Sequence, residues 1–414
     1  MMRRGLCALL LPLLVGACNV QAATSREFVL GMVAPMTGED GQASREDIRG
    51  AQVAVDEVNR QGGVQGHRVR LVTQAADSRE ATGPAVRALK SAGATVVMGS
   101  YSSQLSMPTA AAASAAGLVY WEAGAVADQV TGQALPRVFR VGAAGSSLGR
   151  GSATFAAEQL APRLHRAVSD LRVTVVEEHD SYGDSVAGAV ITEAAARGAK
   201  VAPEISYDAY HPDWNAVFSA VIASRPDVLV LASYIPDGVA FRREMLARRV
   251  HVGALIGTTM AECGPEFGAE LGDDAVGVFA SDRPTSGFNP AALDPGARGA
   301  YDILVSEYRH QFNATPGEEA VASFAAAWAL LHDVIPAAKS LSPTAIDAAA
   351  RAVDLPTGAL PNGAGLRFSA APADRGQNLR SSSVIWQWQG YRHSVTVWPP
   401  VLATGQPAFI PLPR

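Results

Sequence analysis

Short, nearly continuous apolar runs alternate along this chain with longer stretches in which apolar residues recur every three or four positions. "FVLGMVA" (28–34) predicts a buried strand, and "EDIRGAQVAVDEVNRQ" (46–61) an amphipathic helix. "HRVRLVTQ" (67–74) predicts a strand, "ATGPAVRALKSA" (81–92) a helix and "ATVVMGS" (94–100) a strand. A helix over 104–116 and the strand "GLVYW" (117–121) close the series. The rhythm restarts with strands at 171–178, 199–206, 226–233, 251–258 and 275–281, separated by helices at 183–198, 213–225 and 238–249. Strands this apolar, each followed by a helix, imply parallel sheets covered on both faces. Beyond Pro284 come long helical patterns (296–312 and 318–338), then two strand-like segments, "SSSVIWQWQ" and "HSVTVW", and a Pro-rich tail. No Gly/Ser/Pro-rich linker separates the halves. The helical material after Pro284 has too few strands for a sheet of its own, so it is expected to pack back on the first half. The chain then crosses between two lobes more than once, which makes a hinge.

The N-terminus changes the picture. "MMRRGLCALLLPLLVGACNVQAATSRE" has Arg3 and Arg4, an apolar Leu6–Val15 core and small residues after it, the pattern of an export signal. "VGAC", ending in Cys18, resembles a bacterial lipobox in which that cysteine is lipidated; the rival reading is cleavage after Ala22 or Ala23. No later run of apolar residues approaches the roughly 20 a spanning helix needs. An exported, soluble or lipid-tethered protein is therefore expected, with its net charge moving from −5 to −7 once the two arginines leave. Such a charge argues against nucleic acid as a partner. Cys263 is the single cysteine of the body, so no disulfide framework holds the chain together; a partly buried thiol is its expected state.

Gly62, Gly63 and Gly66 suggest a phosphate loop, but a phosphate loop follows a strand and opens a helix. These glycines follow a helix and precede a strand, so they are expected to end the one and start the other. Enzyme signatures are weak. "SYGDSVAG" has Ala187 where a nucleophile elbow needs glycine. "EEHDSYGD" groups acids with a histidine, without a repeated metal-ligand spacing, and His165, His179, His211 and His251 are scattered. No nucleophile–base pair is visible, and no cofactor or metal is expected.

"GMVAPMTGEDG" (31–41), "GAQVAVDEVNRQGGVQGHRVRLVTQAADS" (50–78), "ATVVMGSYSSQ" (94–104), "HDSYGDSVAGAV" (179–190), "SYIPD" (233–237) and "WQWQGYRHSVTVWPP" (386–400) together resemble the type I periplasmic solute-binding proteins of ABC transporters. The leucine/isoleucine/valine and amide/urea receptors belong to that group. The resemblance implies two Rossmann-like α/β lobes joined by three crossovers and closing on an amino acid or a related small amide or carboxylate. It implies ABC permease and ATPase partners, a periplasmic or envelope-surface location with Cys18 as the only membrane anchor, and a monomer. The corresponding boundaries are 1–23 signal, 24–142 with 282–357 lobe one, 143–281 with 358–400 lobe two, and 401–414 tail. It also implies ligand contacts from Ser102 and Ser103, where hydroxyls and N–H groups of a helix N-terminus take a carboxylate; the rival reading, compatible with it, is that one serine caps that helix. The loop after "GLVYW" supplies Trp121, Glu122, Ala123 and Ala125; Trp121 is either a pocket wall or a core side chain, and Glu122 either an ammonium partner or a surface acid. Tyr182 and Tyr234 are the expected lids. Thr259 stands where the amino-acid receptors carry an acid, with Glu262 three residues on as a substitute. A free-standing sensor of the same fold, and a hydrolase, are the alternative functions.

Overall fold

The structure is a computed structural model that describes residues 27–38, 40–259 and 264–414. The first lobe runs β1 (Glu27–Ala34), α1 (Asp40–Arg60), β2 (Arg68–Ala75), α2 (Arg79–Ser91), β3 (Val96–Met98), α3 (Ser103–Ala115), β4 (Val119–Glu122), a single-turn α4 (Gln129–Gly132) and β5 (Val138–Arg140). The strands form one parallel sheet in the order β2-β1-β3-β4-β5. The second lobe follows with α5 (Gly145–Phe155), which passes through a π-helical turn into α6 (Ala161–Arg163). Then come β6 (Arg172–Glu178), α7 (Ser181–Ala196), β7 (Lys200–Val201), β8 (Ile205–Tyr207), α8 (Trp214–Ser224) and β9 (Val228–Ala232). The run closes with α9 (Ile235–Ala247), β10 (Ala254–Thr258), α10 (Pro265–Leu271) and β11 (Phe279–Asp282). After α11 (Pro295–Phe312), α12 (Glu318–Trp328), α13 (Ile335–Ala337) and α14 (Pro343–Ala352), β12 (Val384–Gly390) and β13 (His393–Trp398) complete the second sheet. Its order is β13-β12-β11-β10-β9-β6-β7, with β8 also on β6 and with β12 antiparallel to both of its neighbours, β11 and β13. This is the parallel-rich, two-lobed α/β fold that the alternation predicts.

The glycines at 62–66 punctuate, as expected. Gly62, Gly63 and Gly66 have φ of 105°, 78° and 77°, and the Gly63 N–H returns to the Val58 carbonyl at 2.9 Å to end α1. A Cβ on Gly63 would overlap the His67 carbonyl oxygen.

The helices after Pro284 do pack on the first lobe. α12 lies against α1 so closely that a Cβ on Gly50 would overlap the Ala320 carbonyl, and Val321, Phe324, Ala327 and Leu330 fill the core with Val53, Val58 and Leu30. One stretch corrects an expectation. The continuous helix Glu318–Ala337 is long and apolar enough to cross a membrane, yet most of it is buried inside the first lobe. α11 serves both lobes: Leu304 and Tyr308 belong to the first core, Tyr301 to the second.

The chain passes between the lobes at three neighbouring places. Asn378 donates to the Val141 carbonyl (2.9 Å), tying the third crossing to the first, and Arg283, just past β11, reaches the carbonyls of Ala123 and Gly124. Residues 358–380 pack with lobe one, contrary to the expected boundary at 358. Leu360, Ala364, Leu366 and Phe368 share its core, and Phe368 meets Trp121 edge-on at 5.3 Å. The return to the second sheet comes with β12. Six elements had no counterpart in the pattern: α4, β5, α5, α6, α10 and α14. α5, "GSSLGRGSATF", hides its periodicity behind glycines that packing requires; a Cβ on Gly149 would collide with the Val186 carbonyl of α7.

Candidate functional site

Both sheets are parallel where they face each other, so the C-terminal strand ends and the helix N-termini that follow converge on the gap between the lobes. A cavity of about 390 Å³ lies there. Its first-lobe walls are Asp40, Gln42 and Glu46 from α1, Tyr101 from the loop after β3, and Thr315, Glu318 and Glu319 around the start of α12. Its second-lobe walls are Tyr234, Ile235 and Pro236 at the start of α9 and Gly264, Pro265 and Glu266 at the start of α10. Gln42 donates to Glu266 across the rim, so the two lobes are in contact over the cavity.

Behind the cavity sits one buried cation among several carboxylates. Arg283 is 2% exposed; its Nε lies 2.5 Å from Glu318 Oε1 and its Nη2 3.2 Å from Glu319 Oε2. Burial works against its charge, and Glu318, Glu319, Asp282 and Asp47 outweigh burial, holding its pKa above the ordinary value. Burial likewise raises the carboxyls, against the pull of Arg283: Glu318 and Asp47 well above their usual range and Glu319 to about 8. In the second lobe, burial followed by the nearby Asp237 and Asp180 pushes Glu178 up to about 9.

Of the residues expected to touch solute, Tyr234 lines the cavity, and its hydroxyl donates to Asp180 at 3.1 Å. The others stand behind the walls. Trp121 is fully buried, donates from Nε1 to the Ala326 carbonyl at 2.8 Å and packs on Phe139 and Phe368; it is the core side chain, not the pocket wall. Glu122, fully buried, is a structural acceptor rather than a surface acid or ammonium partner. It takes bonds from Ser106 and Tyr120 and from the N–H groups of Gly124 (2.8 Å) and Ala125 (3.0 Å). The Ala123 carbonyl is held by Arg283, and the Ala125 N–H by Glu122. Ser103 Oγ accepts from the Ala127 N–H at 3.0 Å, while Ser102 caps α3 through its backbone. Tyr182 is buried with its hydroxyl bonded to Thr258, and it meets Tyr234 edge-on at 5.4 Å, so it braces the lid rather than forming one. Thr259, at φ 29°, donates to Asp282 at 3.0 Å behind the hinge. Glu262 and Cys263, like Cys18 and the signal, lie outside the described residues.

Sequence reasoning missed Tyr101, one residue from the expected Ser102, and the acids of α1 and α12. "PGEEAV" carried a signal: two acids opening an otherwise apolar helix on its buried side. In "EEHDSYGD" the fold brings Glu177, His179 and Asp184 together, with one ligand atom of each within 4.8 Å of the others, His179 and Asp184 being exposed.

Two lobes with parallel-rich sheets, three adjacent crossings and a cavity walled by both lobes are the architecture of a two-lobed binding protein. The chain belongs to the periplasmic binding protein family, whose model matches residues 27–380. It is 28% identical over 407 residues to Leu/Ile/Val-binding protein homolog 8 of Brucella suis, covering 96% of this chain and 98% of that one. Its fold is similar to the leucine binding protein LivK of Thermotoga maritima (TM-score 0.75, 20% identity, 90% of this chain and 98% of that one). It is also similar to LivJ of Streptococcus pneumoniae, solved in complex with isoleucine (TM-score 0.72, 17% identity, 90% and 100%). The family is one of solute-binding proteins, not enzymes.

Proposed function

We propose that this protein is the extracytoplasmic receptor of an ABC importer, which captures a small nitrogen-bearing solute, an amino acid or an amide, by closing its lobes on it. The observation that carries this reading is the cavity with walls from both lobes beside a three-strand hinge. Contacts from both walls exist together only in the closed form, so a solute that makes them shifts the population toward closure, and a permease can read the closed surface. Tyr101 and Tyr234 supply apolar ring faces with polar tips, suited to a solute with an aliphatic part. On this reading Cys18 is lipidated and tethers a monomer to the envelope.

The test is small-angle scattering and thermal melting on protein stripped of bound solute by denaturation and refolding, screened against amino acids and amides. A solute that both raises Tm and shrinks the radius of gyration, without being turned over, is the expected result. A rigid particle indifferent to every solute would overturn the reading. Mass spectrometry of the protein from membranes should find acyl groups on Cys18.

A further inference from the structure

The cavity walls carry an unusual balance of charge. Asp40, Glu46, Glu266, Glu318 and Glu319 all line the cavity, and no Lys, Arg or His is among its described lining residues. Two cations stand behind these walls: Arg283 is already shared among Asp282, Glu318 and Glu319, and Arg49 pairs with Glu46 at 2.9 Å, which leaves the lining acids in excess. Two more buried carboxylates stand close by with an oxygen that no hydrogen bond satisfies. Asp47 Oδ1 is within electrostatic reach of Glu46 and Glu318, and Glu178 Oε2 is within reach of Asp40. Burial without a partner pushes both toward the protonated, neutral form, and a cation in the cavity is a partner that would favour their charged form.

Helix N-termini favour anions, and four of them open on this cavity, which argues for the opposite charge. Their positions are already filled by the chain's own first-turn acids: Asp40 on α1, Asp237 on α9, Glu266 on α10, and Glu318 with Glu319 on α12. A carboxylate solute would have to enter beside these groups, whereas an ammonium, amidinium or guanidinium neutralises them. Tyr101, Tyr234, Ile235 and Pro236 then cover the apolar remainder of the molecule, and an aromatic face adds attraction for a cation.

We propose that the solute of this cavity carries net positive charge, as an amine, amidine or guanidine held between the acids of α1 and α12 and Glu266 of α10. This rests on the receptor reading above and narrows its solute class.

The test is a matched series on one carbon skeleton, titrated calorimetrically into the stripped full-length protein: isoamylamine, leucine, isovaleramide and isovalerate, with agmatine and arginine as larger cations. The expected result is that a cation binds at least about tenfold more tightly than isovaleramide, weakens as salt rises, and leaves isovalerate without measurable binding. Glu318→Gln and the rim variant Glu266→Gln should each weaken the cation several-fold more than they weaken isovaleramide. Circular dichroism checks that Glu318→Gln folds, and Glu266→Gln carries the test where it does not. Leucine or isovalerate binding most tightly, and being weakened by Tyr234→Ala, overturns the charge assignment while the receptor reading stands. A cation whose binding survives Tyr234→Ala and both glutamine variants binds elsewhere, which overturns the assignment of this cavity. Silence from all six probes overturns the inference, and the wider solute screen then decides the receptor reading separately.

Discussion

Arg283 shows how much of this site rests on one side chain. Removing one partner of a buried ion pair leaves the others uncompensated, at a cost of about 3–5 kcal/mol. Arg283→Met should therefore lower unfolding free energy by about that amount in urea titrations, with the carboxylates of Asp282, Glu318 and Glu319 left facing one another. Glu319 adds a pH signature. Burial raises its carboxyl from the usual 4.5 to about 8. Between those values the folded state keeps a proton that the unfolded chain has lost. Its contribution to stability is fully present below the lower value and is lost as pH climbs through the upper one. The unfolding free energy from urea titrations should fall from pH 5 to pH 8, with up to about 1.4 kcal/mol per pH unit from such a carboxyl. Because Asp47, Glu178 and Glu318 are raised as well, Glu319→Gln should lessen that slope without abolishing it, and an unchanged slope in the variant would show that Glu319 does not contribute. At this scale the sequence was least legible. Trp121 and Glu122 were expected at the site because the resemblance places them in a contact loop, yet both belong to β4, which is covered on both faces, and Ala326, Ser106 and Tyr120 complete their bonds.

Among elements, the contact between α1 and α12 holds the first lobe to its late-arriving helices. Gly50→Ala puts a methyl against the Ala320 backbone and should cost about 1–3 kcal/mol, seen as a lower Tm. Trp121→Phe should likewise lower stability, by about 1 kcal/mol for its lost hydrogen bond, while leaving solute affinity unchanged, since Trp121 does not reach the cavity. Strands and long helices were readable from periodicity alone, because a parallel strand buried on both faces is apolar throughout and its helix is not. α5 and α10 were not, since glycines replace the periodic apolar residues where packing is close. The cavity was not readable for a different reason: its walls come from helix starts near residues 40, 235, 265 and 318, which only the assembled fold brings together. Tyr234 was found because the resemblance supplied the loop "SYIPD"; Tyr101 was missed by a single position.

For the whole molecule, several hydrogen bonds join the lobes across the gap. Gln42 meets Glu266 over the rim, and the Asp128 N–H meets Ser185 Oγ at 3.0 Å farther along. Gln42→Ala should enlarge the radius of gyration of the solute-free protein and weaken binding a few-fold, because part of the affinity then goes into closing the lobes. An unaltered scattering curve would show that the rim bond does not hold the lobes together.

The second sheet also has a peculiarity of order. Its middle strands are finished by Asp282, yet β12 joins β11 only from Val384, and the Leu412 N–H still has to reach the Gly253 carbonyl at 2.9 Å. A polypeptide emerging from a pore amino end first can settle its first sheet early, but the second keeps an open edge for another hundred residues. On the proposed reading, clamping waits until nearly everything through residue 412 has arrived, because the second sheet lacks its β12 edge and the Leu412 tie until then.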